Sequence, residues 1–592
     1  MTTIHAELTP CHERIVLVAG GLDPYSVADA ARSLKALTPL FTKSDPPGAL
    51  VVPATWPAVV QLGSTFGAAW RPGPALTAWV ADQVRRRTTS QPSVYTPPIG
   101  LTPYPWQVEG AAMIAATGRV LITDEPGTGK TITAILGLVE WAAARHVEGP
   151  VVVVCPASVV DPWVEAWTVW APHVRAVAWR GEPKRRRALA GTADVYVTSY
   201  ETARVDAPTV GTKEMRALID LNPAAVVIDE CHLIKNQQAQ RSQAVRRLAK
   251  RAAAQHGAVV ALSGTPITHH PGDLWPSLVA LDPDAWPSRE RWIHRYCQTL
   301  PGDYREEVLG LEPATEPEFR LTLLGQQRRV AKADVLEQLP PKVYSVRTVE
   351  LPAKWRKAYD DMETQMLAEL PDGTELSVMG VLAQLTRLSQ LASAAADVHT
   401  EVLDEFDQFG QPKVHTTVTL KAPSWKVDAL LEVLEERPGE PVVVFAPSRQ
   451  LIKLAGEKAA ETGLRVGYVW GGQSMAERTA TVAAFQAGEL DVICVTTGAG
   501  GVGLTLTAAR TCVFLQRPWS LVEALQAEDR CHRIGSERHD SIEIVDIVAK
   551  NTIDSRVRAV LRERAGQLAD LVQDPRIVAD LLGGSTTLRR AS

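Results

Sequence analysis

The chain has 592 residues, several times the size of one domain, which predicts two or three hydrophobic cores. A hydrophobic content of 45% with 22% charged residues is typical of a folded globular protein and excludes the disordered and fibrous classes. The formal net charge of -5 disfavours a generic polyanion binder, because affinity for phosphates comes from clustered Lys and Arg.

The sequence has no uncharged run long enough to cross a bilayer, and its 7 cysteines include no C-x-x-C pair. We therefore expect a cytoplasmic protein with reduced thiols and neither a zinc site nor a disulfide framework. Local basic clusters occur at residues 85–87, 184–187 and 246–251. Each could contact a nucleic-acid backbone, although a solvated helix face is the preferred interpretation of any one of them.

Residues 1–88 are predicted to form a small mixed α/β accessory domain. They contain the strand-like runs RIVLVAGG and GALVVPA and the helix-like stretch ALTAWVADQVRRR. A linker rich in Pro, Ser and Thr is predicted at 89–100. Because no residue pattern in the accessory domain indicates chemistry, we expect it to contact a partner, protein or DNA.

Two later regions, 101–282 and 424–572, repeat an order of apolar strand, loop and helix. Their strands are short continuous runs such as PVVVVC and PVVVFA. Parallel strands covered by helices on both faces have this composition. The predicted fold class is therefore α/β, with two doubly wound parallel-sheet lobes. Residues 283–423 are more charged and predict a helical insertion and inter-lobe linker, and 573–592 form a C-terminal tail.

The stretch VLITDEPGTGKTITAIL predicts a phosphate-binding loop between a buried strand and a helix. In such a loop, backbone N–H groups and the helix N-terminus face the phosphates. Lys130 would neutralise the β and γ phosphates of ATP, and the Thr131 hydroxyl would bind Mg²⁺. Asp124 stands where the general pattern has its first glycine. The residues expected to bind the nucleotide here are Gly127, Thr128, Gly129, Lys130 and Thr131.

A second apolar run, AAVVIDECH, ends in the acidic pair Asp229 and Glu230. At the end of a parallel strand, Asp229 can hold Mg²⁺ and Glu230 can orient or deprotonate the attacking water. An Asp-Glu pair after a strand is also a common cap or surface pair. Together with the phosphate loop, it predicts an ATP-hydrolysing site.

Near the end of the second lobe, AEDRCHRIG places Arg530 and Arg533 three residues apart. We expect them on one face of a helix, from which they could stabilise charge on the transferred phosphate. An exposed charged helix is the alternative interpretation.

Taken in order, these motifs resemble the Swi/Snf-type DNA translocases of helicase superfamily two, from Leu101 to about Arg564. PWQ is similar to the glutamine motif, VYVTSYE to motif Ib, LSGTP to motif III, TTGAGGVGLTLTAA to motif V and QAEDRCHRIG to motif VI. The family's phosphate loop itself begins with Asp, which accounts for Asp124. Two departures are Cys231 in place of the usual alanine and Ser536 in place of the common glutamine.

The resemblance implies two RecA-like lobes and roles for further residues. Gln107 would bind adenine, while Ser199 and Thr496 would contact the DNA backbone, unless their hydroxyls merely cap strands or helices. It also implies residues that couple hydrolysis to lobe closure: Ser263, Thr265, Gly501, Gly503 and Gln526.

The implied activity is ATP- and Mg²⁺-dependent movement on duplex or forked DNA without sequence preference. The segment WVEAWTVWAP is most similar to the annealing-helicase branch. A monomer in a bacterial or phage-infected cell is expected. Three alternatives stay open: a strand-separating helicase on DNA or RNA, a nucleotide-gated clamp without hydrolysis, and a motor that acts with a separate nuclease.

Overall fold

The protein is described by a computed structural model. The described residues are 3–20, 50–88, 95–145, 148–208, 217–266, 271–283, 285–286, 288–300, 307–323, 326–336, 339–368, 378–406, 412–498 and 504–572. The chain divides into two compact units, Met1–Val335 and Leu336–Ser592. Each unit is considered by itself. The domain boundaries drawn from the sequence stay predictions.

The first unit begins with a small four-stranded sheet in the order β3-β2-β1-β4. Side chains of β1 alternate between buried and exposed positions, so one face of the sheet covers a core. Two helices pack on that core, and the first is capped by the Thr55 hydroxyl. The elements are β1 (Thr3–Leu8), β2 (Arg14–Gly20), β3 (Leu50–Pro53), α1 (Trp56–Phe66), β4 (Trp70–Pro72) and α2 (Pro74–Thr88).

The centre of the first unit is a seven-stranded sheet in the order β13-β5-β10-β9-β6-β8-β7. All its strand pairs are parallel, and five of its strands are almost entirely buried. Burial on both faces explains their continuous Val, Ile and Leu runs. The strands are β5 (Arg119–Ile122), β6 (Val151–Cys155), β7 (Ala176–Ala178), β8 (Val195–Ser199), β9 (Ala225–Asp229), β10 (Ala258–Leu262) and β13 (Gln327–Arg328).

Helices connect these strands as crossovers. They are α3 (Pro105–Thr117), α4 (Lys130–Arg145), α5 (Val160–Trp170), α6 (Pro183–Ala188), α7 (Tyr200–Asp206), α8 (Ala217–Asp220), α9 (Gln240–Ala253), α10 (Trp275–Leu281), α11 (Arg289–Tyr296), α12 (Glu316–Thr322) and α13 (Lys332–Val335). A short hairpin of β11 (Cys297–Leu300) and β12 (Glu307–Leu311) lies between α11 and α12.

The second unit is built on a six-stranded parallel sheet in the order β14-β21-β20-β17-β19-β18. The strands are β14 (Lys342–Val349), β17 (Val442–Ala446), β18 (Val466–Val469), β19 (Val492–Thr496), β20 (Thr511–Phe514) and β21 (Ile542–Ala549). The helices are α14 (Ala353–Ala368), α15 (Val378–Leu391), α16 (Trp425–Glu435), α17 (Arg449–Glu461), α18 (Met475–Gln486), α19 (Leu521–Glu528) and α20 (Ile553–Val572).

The two parallel sheets with their helices confirm the predicted α/β class of two RecA-like lobes. The segment between the lobes contributes more than helices. Its strand β13 joins the first sheet and its strand β14 joins the second, and a hairpin of β15 (Ala395–Phe406) and β16 (Pro412–Lys421) follows. Within the described ranges, no helix has the length and apolar character needed to cross a membrane.

Candidate nucleotide site

The phosphate loop joins the buried strand β5 to α4, which begins at Lys130. Gly127 and Gly129 have φ values of 87° and 86°, in the left-handed region that favours glycine. A Cβ at Gly129 would also collide with the amide nitrogen of Gln107. The tight turn and the close approach together require glycine at position 129.

The Lys130 ammonium is held inside this loop. Its Nζ donates hydrogen bonds to the backbone oxygens of Asp124 at 2.8 Å and Glu125 at 3.2 Å. The Thr128 hydroxyl donates to the same Glu125 oxygen at 2.8 Å, and Thr131 lies half-buried in the first turn of α4. The loop therefore presents a cation and a hydroxyl at a helix N-terminus, as phosphate binding requires.

Gln107 is buried behind the loop. Its Nε2 donates to the Thr128 carbonyl at 3.0 Å, and its Oε1 accepts from the Tyr104 amide at 3.0 Å. The Trp106 indole donates to the same Thr128 oxygen at 3.0 Å and stacks on the Tyr104 ring. Gln107 and Trp106 thus fix the shape of the loop, and the adenine role of Gln107 stays a prediction.

Asp229 lies at the carboxyl end of β9, where its carboxylate is oriented by two donors. Oδ2 accepts from the Trp163 indole at 2.8 Å, and Oδ1 accepts from the Glu230 amide at 3.0 Å. Burial and the Glu230 charge raise the pKa of Asp229 to about 6, against the opposing effects of Trp163 and Lys130. A carboxylate near Lys130 with one bond to each oxygen has lone pairs left for a cation.

Glu230 is tied to the loop that follows β10. It has a φ of 52°, and its Oε2 lies 3.2 Å from His232 Nδ1 and accepts from the Ser263 hydroxyl at 3.5 Å. His232 Nδ1 and Ser263 Oγ are 3.0 Å apart, and Ser263 Oγ accepts from the Thr265 amide at 3.1 Å. The structure thus brings Glu230, Ser263 and Thr265 into one hydrogen-bonded chain.

His232 was not assigned a role from the sequence, although its contacts make it the centre of this chain. The only available signal was its position in DECH, immediately after the acidic pair. Trp163, the donor to Asp229, lies 66 positions before its partner, and no spacing pattern could have shown the contact.

In the second unit, α19 ends at Glu528, so the expectation that Arg530 and Arg533 share a helical face is wrong. After Glu528 the backbone forms turns, with hydrogen bonds such as that from Arg530 N to Ala527 O. Arg530 and Arg533 nevertheless converge, because both guanidinium groups donate to the Leu504 carbonyl at 3.4 Å. Burial lowers the pKa of Arg533, which the nearby Asp529 partly offsets.

The remaining predicted residues lie as follows. Gln526 is half-buried on α19, and Thr496 is buried at the end of β19. The Ser199 hydroxyl caps α7 by accepting from the Thr202 amide, which matches its alternative interpretation as a cap. Gly501 and Gly503 lie outside the described residues.

Mg²⁺ suits the donors that this site offers. Hard oxygen ligands, a carboxylate and a hydroxyl, are those that Mg²⁺ takes from proteins, with water and substrate phosphates completing its octahedron. Asp229 and Thr131 supply one of each. No cluster of three or more His, Cys, Asp or Glu side chains exists among the described residues, so an all-protein metal cage is absent from them.

Two family models match the chain. The model of the SNF2-related domain matches residues 106–395, and that of the helicase conserved C-terminal domain matches residues 425–535. The chain is 27% identical over 513 residues to the nuclear protein STH1/NPS1 of Saccharomyces cerevisiae, covering 83% of this chain and 36% of that protein.

Two further proteins are similar. The DNA annealing helicase and endonuclease ZRANB3 of Mus musculus is 27% identical over 478 residues, 78% of this chain and 40% of its own length. The Sulfolobus solfataricus SWI2/SNF2 ATPase core in complex with dsDNA has 20% identity and a TM-score of 0.34, and covers 81% of this chain and 97% of the solved chain. The chain spans less than half the length of the two curated relatives, STH1/NPS1 and ZRANB3. With its SNF2-related domain followed by a helicase C-terminal domain, the chain belongs to the Swi/Snf family of helicase-type ATPases.

Proposed function

We propose that this protein hydrolyses ATP with Mg²⁺ and uses the free energy to move along duplex or forked DNA. The observation that carries the proposal is the contact chain from Glu230 through Ser263 to Thr265, next to the Lys130 loop. It joins Glu230, the proposed general base, to the loop that follows β10 in the same lobe. A site that only bound nucleotide would not need this connection.

The residues of the first unit divide the work of hydrolysis. Lys130 binds the β and γ phosphates, leaving the loop carbonyls that hold it now. Asp229 and Thr131 hold Mg²⁺, which when bound neutralises charge on the phosphates. Glu230 orients the attacking water and accepts its proton, and His232 restricts the Glu230 carboxylate to one position.

Arg530 and Arg533 supply positive charge from the second unit. Their convergence on Leu504 O presents two guanidinium groups from one rigid turn. Charge of this kind stabilises the transferred phosphate in related phosphoryl-transfer reactions. We infer that lobe closure brings them to the nucleotide, with Ser263, Thr265, Gly501, Gly503 and Gln526 as the coupling residues.

DNA is the proposed track because the sequence motifs resemble those of DNA translocases and the relatives named above include a DNA annealing helicase. Sequence-independent binding would use hydroxyls and main-chain amides on the phosphate backbone. Action as a monomer, location in a bacterial or phage-infected cell and a protein partner for residues 1–88 remain parts of the proposal.

The test is steady-state ATP hydrolysis without nucleic acid and with duplex DNA, forked DNA, single-stranded DNA or RNA. We expect duplex or forked DNA to stimulate hydrolysis. Lys130→Ala and Glu230→Gln should each abolish that stimulation, because one loses phosphate binding and the other the base. Lys453→Ala is the matched control, because its exposed side chain pairs along α17 with Glu457.

Stimulation by single strands or RNA alone would support the strand-separating helicase instead. Tight nucleotide binding without hydrolysis under every condition would support the nucleotide-gated clamp. A Glu230→Gln variant with full activity would remove the assigned base and the mechanism built on it.

A further inference from the structure

Asp124 has an unusual environment for a carboxylate. Its exposed fraction is 1%, and neither carboxylate oxygen has a hydrogen-bond partner among the described residues. Burial raises its pKa, although Arg328, Lys130, the Val330 backbone amide and Arg329 oppose this. A buried carboxylate without a well-formed hydrogen bond is costly, so a positive charge close to it contributes to keeping it in place.

Residues 326–332, which we name the latch segment, run alongside the start of the phosphate loop. The Leu121 amide donates to the Gln326 carbonyl, and the Thr123 amide donates to the Arg328 carbonyl, each at 2.7 Å. The Glu125 amide donates to the Val330 carbonyl at 3.0 Å. The first half of the loop is therefore the edge of a sheet that β13 extends. The loop is shaped by a segment about 200 residues away in sequence as well as by its glycines.

Two arginines of the latch segment reach the acidic residues of the loop. Arg328 lies 3.6 Å from the Asp124 carboxylate, and Arg329 lies 3.6 Å from that of Glu125. Arg329 also donates to the Thr123 carbonyl at 3.1 Å, and the Lys332 amide donates to Glu125 Oε2 at 2.9 Å. Both acidic residues at the loop's start thus face the same segment.

The position of the Arg328 guanidinium is defined from a second side. It donates to the Trp106 carbonyl and to the exposed Glu109 carboxylate, the latter at 3.2 Å. Gly110 of α3 leaves the space that it occupies, since a Cβ there would collide with it. Trp106 in turn donates to the Thr128 carbonyl. Arg328 therefore lies beside Asp124 at the start of the loop and also contacts Trp106, which holds Thr128 further along the loop.

We propose that Arg328 and Arg329 are positioning residues that hold the phosphate loop through Asp124 and Glu125, so that the latch segment responds to nucleotide. The inference rests on the proposed function. Lys130 now bonds the carbonyls of the same two acidic residues, and moving it to a phosphate changes the charge around Asp124. Four residues after the latch segment, Leu336 begins the second unit, so a change there is placed to reach the other lobe.

The test uses binding of a fluorescent ADP analogue with Mg²⁺ and no DNA, which keeps it separate from DNA-stimulated hydrolysis. We expect Arg328→Gln to weaken binding about tenfold, because the buried Asp124 carboxylate then loses the guanidinium that lies 3.6 Å from it. Arg320→Gln is the matched control, since its guanidinium pairs within α12 with Glu316.

Two readouts distinguish positioning from general stability. Adding Asp124→Asn to Arg328→Gln should recover most of the lost affinity, because no uncompensated charge then remains. Nucleotide should also slow hydrogen exchange at residues 326–332 in the wild type and not in Arg328→Gln. Equal affinity in wild type and Arg328→Gln, or a double variant weaker than either single one, would overturn the inference while leaving the proposed ATPase intact. A wild type that binds no nucleotide would overturn both.

Discussion

Two tryptophans of α5 differ in one hydrogen bond. Trp163 and Trp167 both have an exposed fraction of 1%, and both pack into the first lobe. The Trp163 indole donates to the Asp229 carboxylate at 2.8 Å, whereas the Trp167 indole has no hydrogen-bond partner among the described residues. A comparison of variants at these two positions therefore separates the contribution of the hydrogen bond to Asp229 from that of side-chain packing.

We expect Trp163→Phe to lower the rate constant of ATP hydrolysis about tenfold. Trp163→Phe and Trp167→Phe should both lower thermal stability, because each leaves space beside a buried ring. A hydrogen bond to a charged group is worth about 1.5–3 kcal/mol, and each 1.4 kcal/mol in a barrier is about tenfold in rate. Steady-state kinetics of Trp163→Phe and Trp167→Phe measure it, with Trp167→Phe close to wild type. Equal losses in the two variants would mean that packing, and not the bond, is responsible.

At the residue scale, the sequence predicted those candidate site residues that come at or shortly after the end of an apolar strand. Lys130 begins α4, directly after the phosphate loop that follows β5, and Asp229 is the last residue of β9. Functional groups collect at such strand ends of a parallel sheet. Trp163, His232 and Arg328 were assigned no role, because their contacts depend on tertiary packing that no local period records. The site assignments themselves stay predictions until variants are measured.

The C-terminal end of α19 is fixed by a buried ionic network. Glu528 is fully buried and pairs with Lys342 at 3.1 Å and Arg517 at 2.6 Å, and it accepts a hydrogen bond from the Tyr344 hydroxyl at 2.9 Å. Burial alone would raise the pKa of Glu528, but Lys342 and Arg517 outweigh it and lower that pKa. The helix end that precedes Arg530 is therefore held by charge.

We expect Glu528→Gln to lower the free energy of unfolding of the second unit by about 2 kcal/mol at pH 7, because Lys342 and Arg517 lose a buried carboxylate partner and keep Asp529 and Asp546, respectively. Since the folded pKa lies below the ordinary 4.5, the wild-type advantage is complete above that value and declines as pH falls through the folded pKa. Urea unfolding at pH 7 and pH 4 measures it, with the exposed Glu523→Gln as control. An advantage that grows toward pH 4 would contradict the sign.

At the element scale, buried strands were predictable and edge strands were not. The runs of β6 and β17 are continuously apolar, as central parallel strands require. β13 has only two residues, and β14 mixes polar and apolar residues because it lies at a sheet edge. Residues 283–423, predicted as a helical insertion, therefore also contain one edge strand of each sheet.

At the scale of the molecule, the N-terminal sheet is joined to the first lobe by α1. The Trp56 indole donates to the Leu321 carbonyl and Gln61 Nε2 donates to the Tyr296 hydroxyl, each at 2.9 Å. The Tyr296 hydroxyl also donates to Glu318, which pairs with Arg295. The accessory domain is thus bonded to α11 and α12 of the lobe.

Loss of these two bonds should loosen the accessory domain. We expect Trp56→Phe combined with Gln61→Leu, which remove both donors, to cost about 2 kcal/mol for the bonds, at about 1 kcal/mol for each, in addition to the effect of the smaller ring at position 56. Faster hydrogen exchange in β1 and β2 would measure the loss. Thr77→Ala is the control, because its exposed hydroxyl donates to the nearby Pro72 and Gly73 carbonyls. Unchanged exchange in the double variant would show that apolar packing alone joins the two parts.

The pairing of β14 with β21 has a consequence for synthesis on the ribosome. Lys342 lies opposite Ile542, so about 200 residues must be translated before the first strand of the second lobe finds its neighbour. Contacts of such long sequence separation form late and slowly, because closing the intervening chain costs entropy. The first lobe is complete once β13 has emerged, whereas the nascent second lobe exposes the edge of β14 until its last strand arrives, and in that interval it is the part most exposed to aggregation.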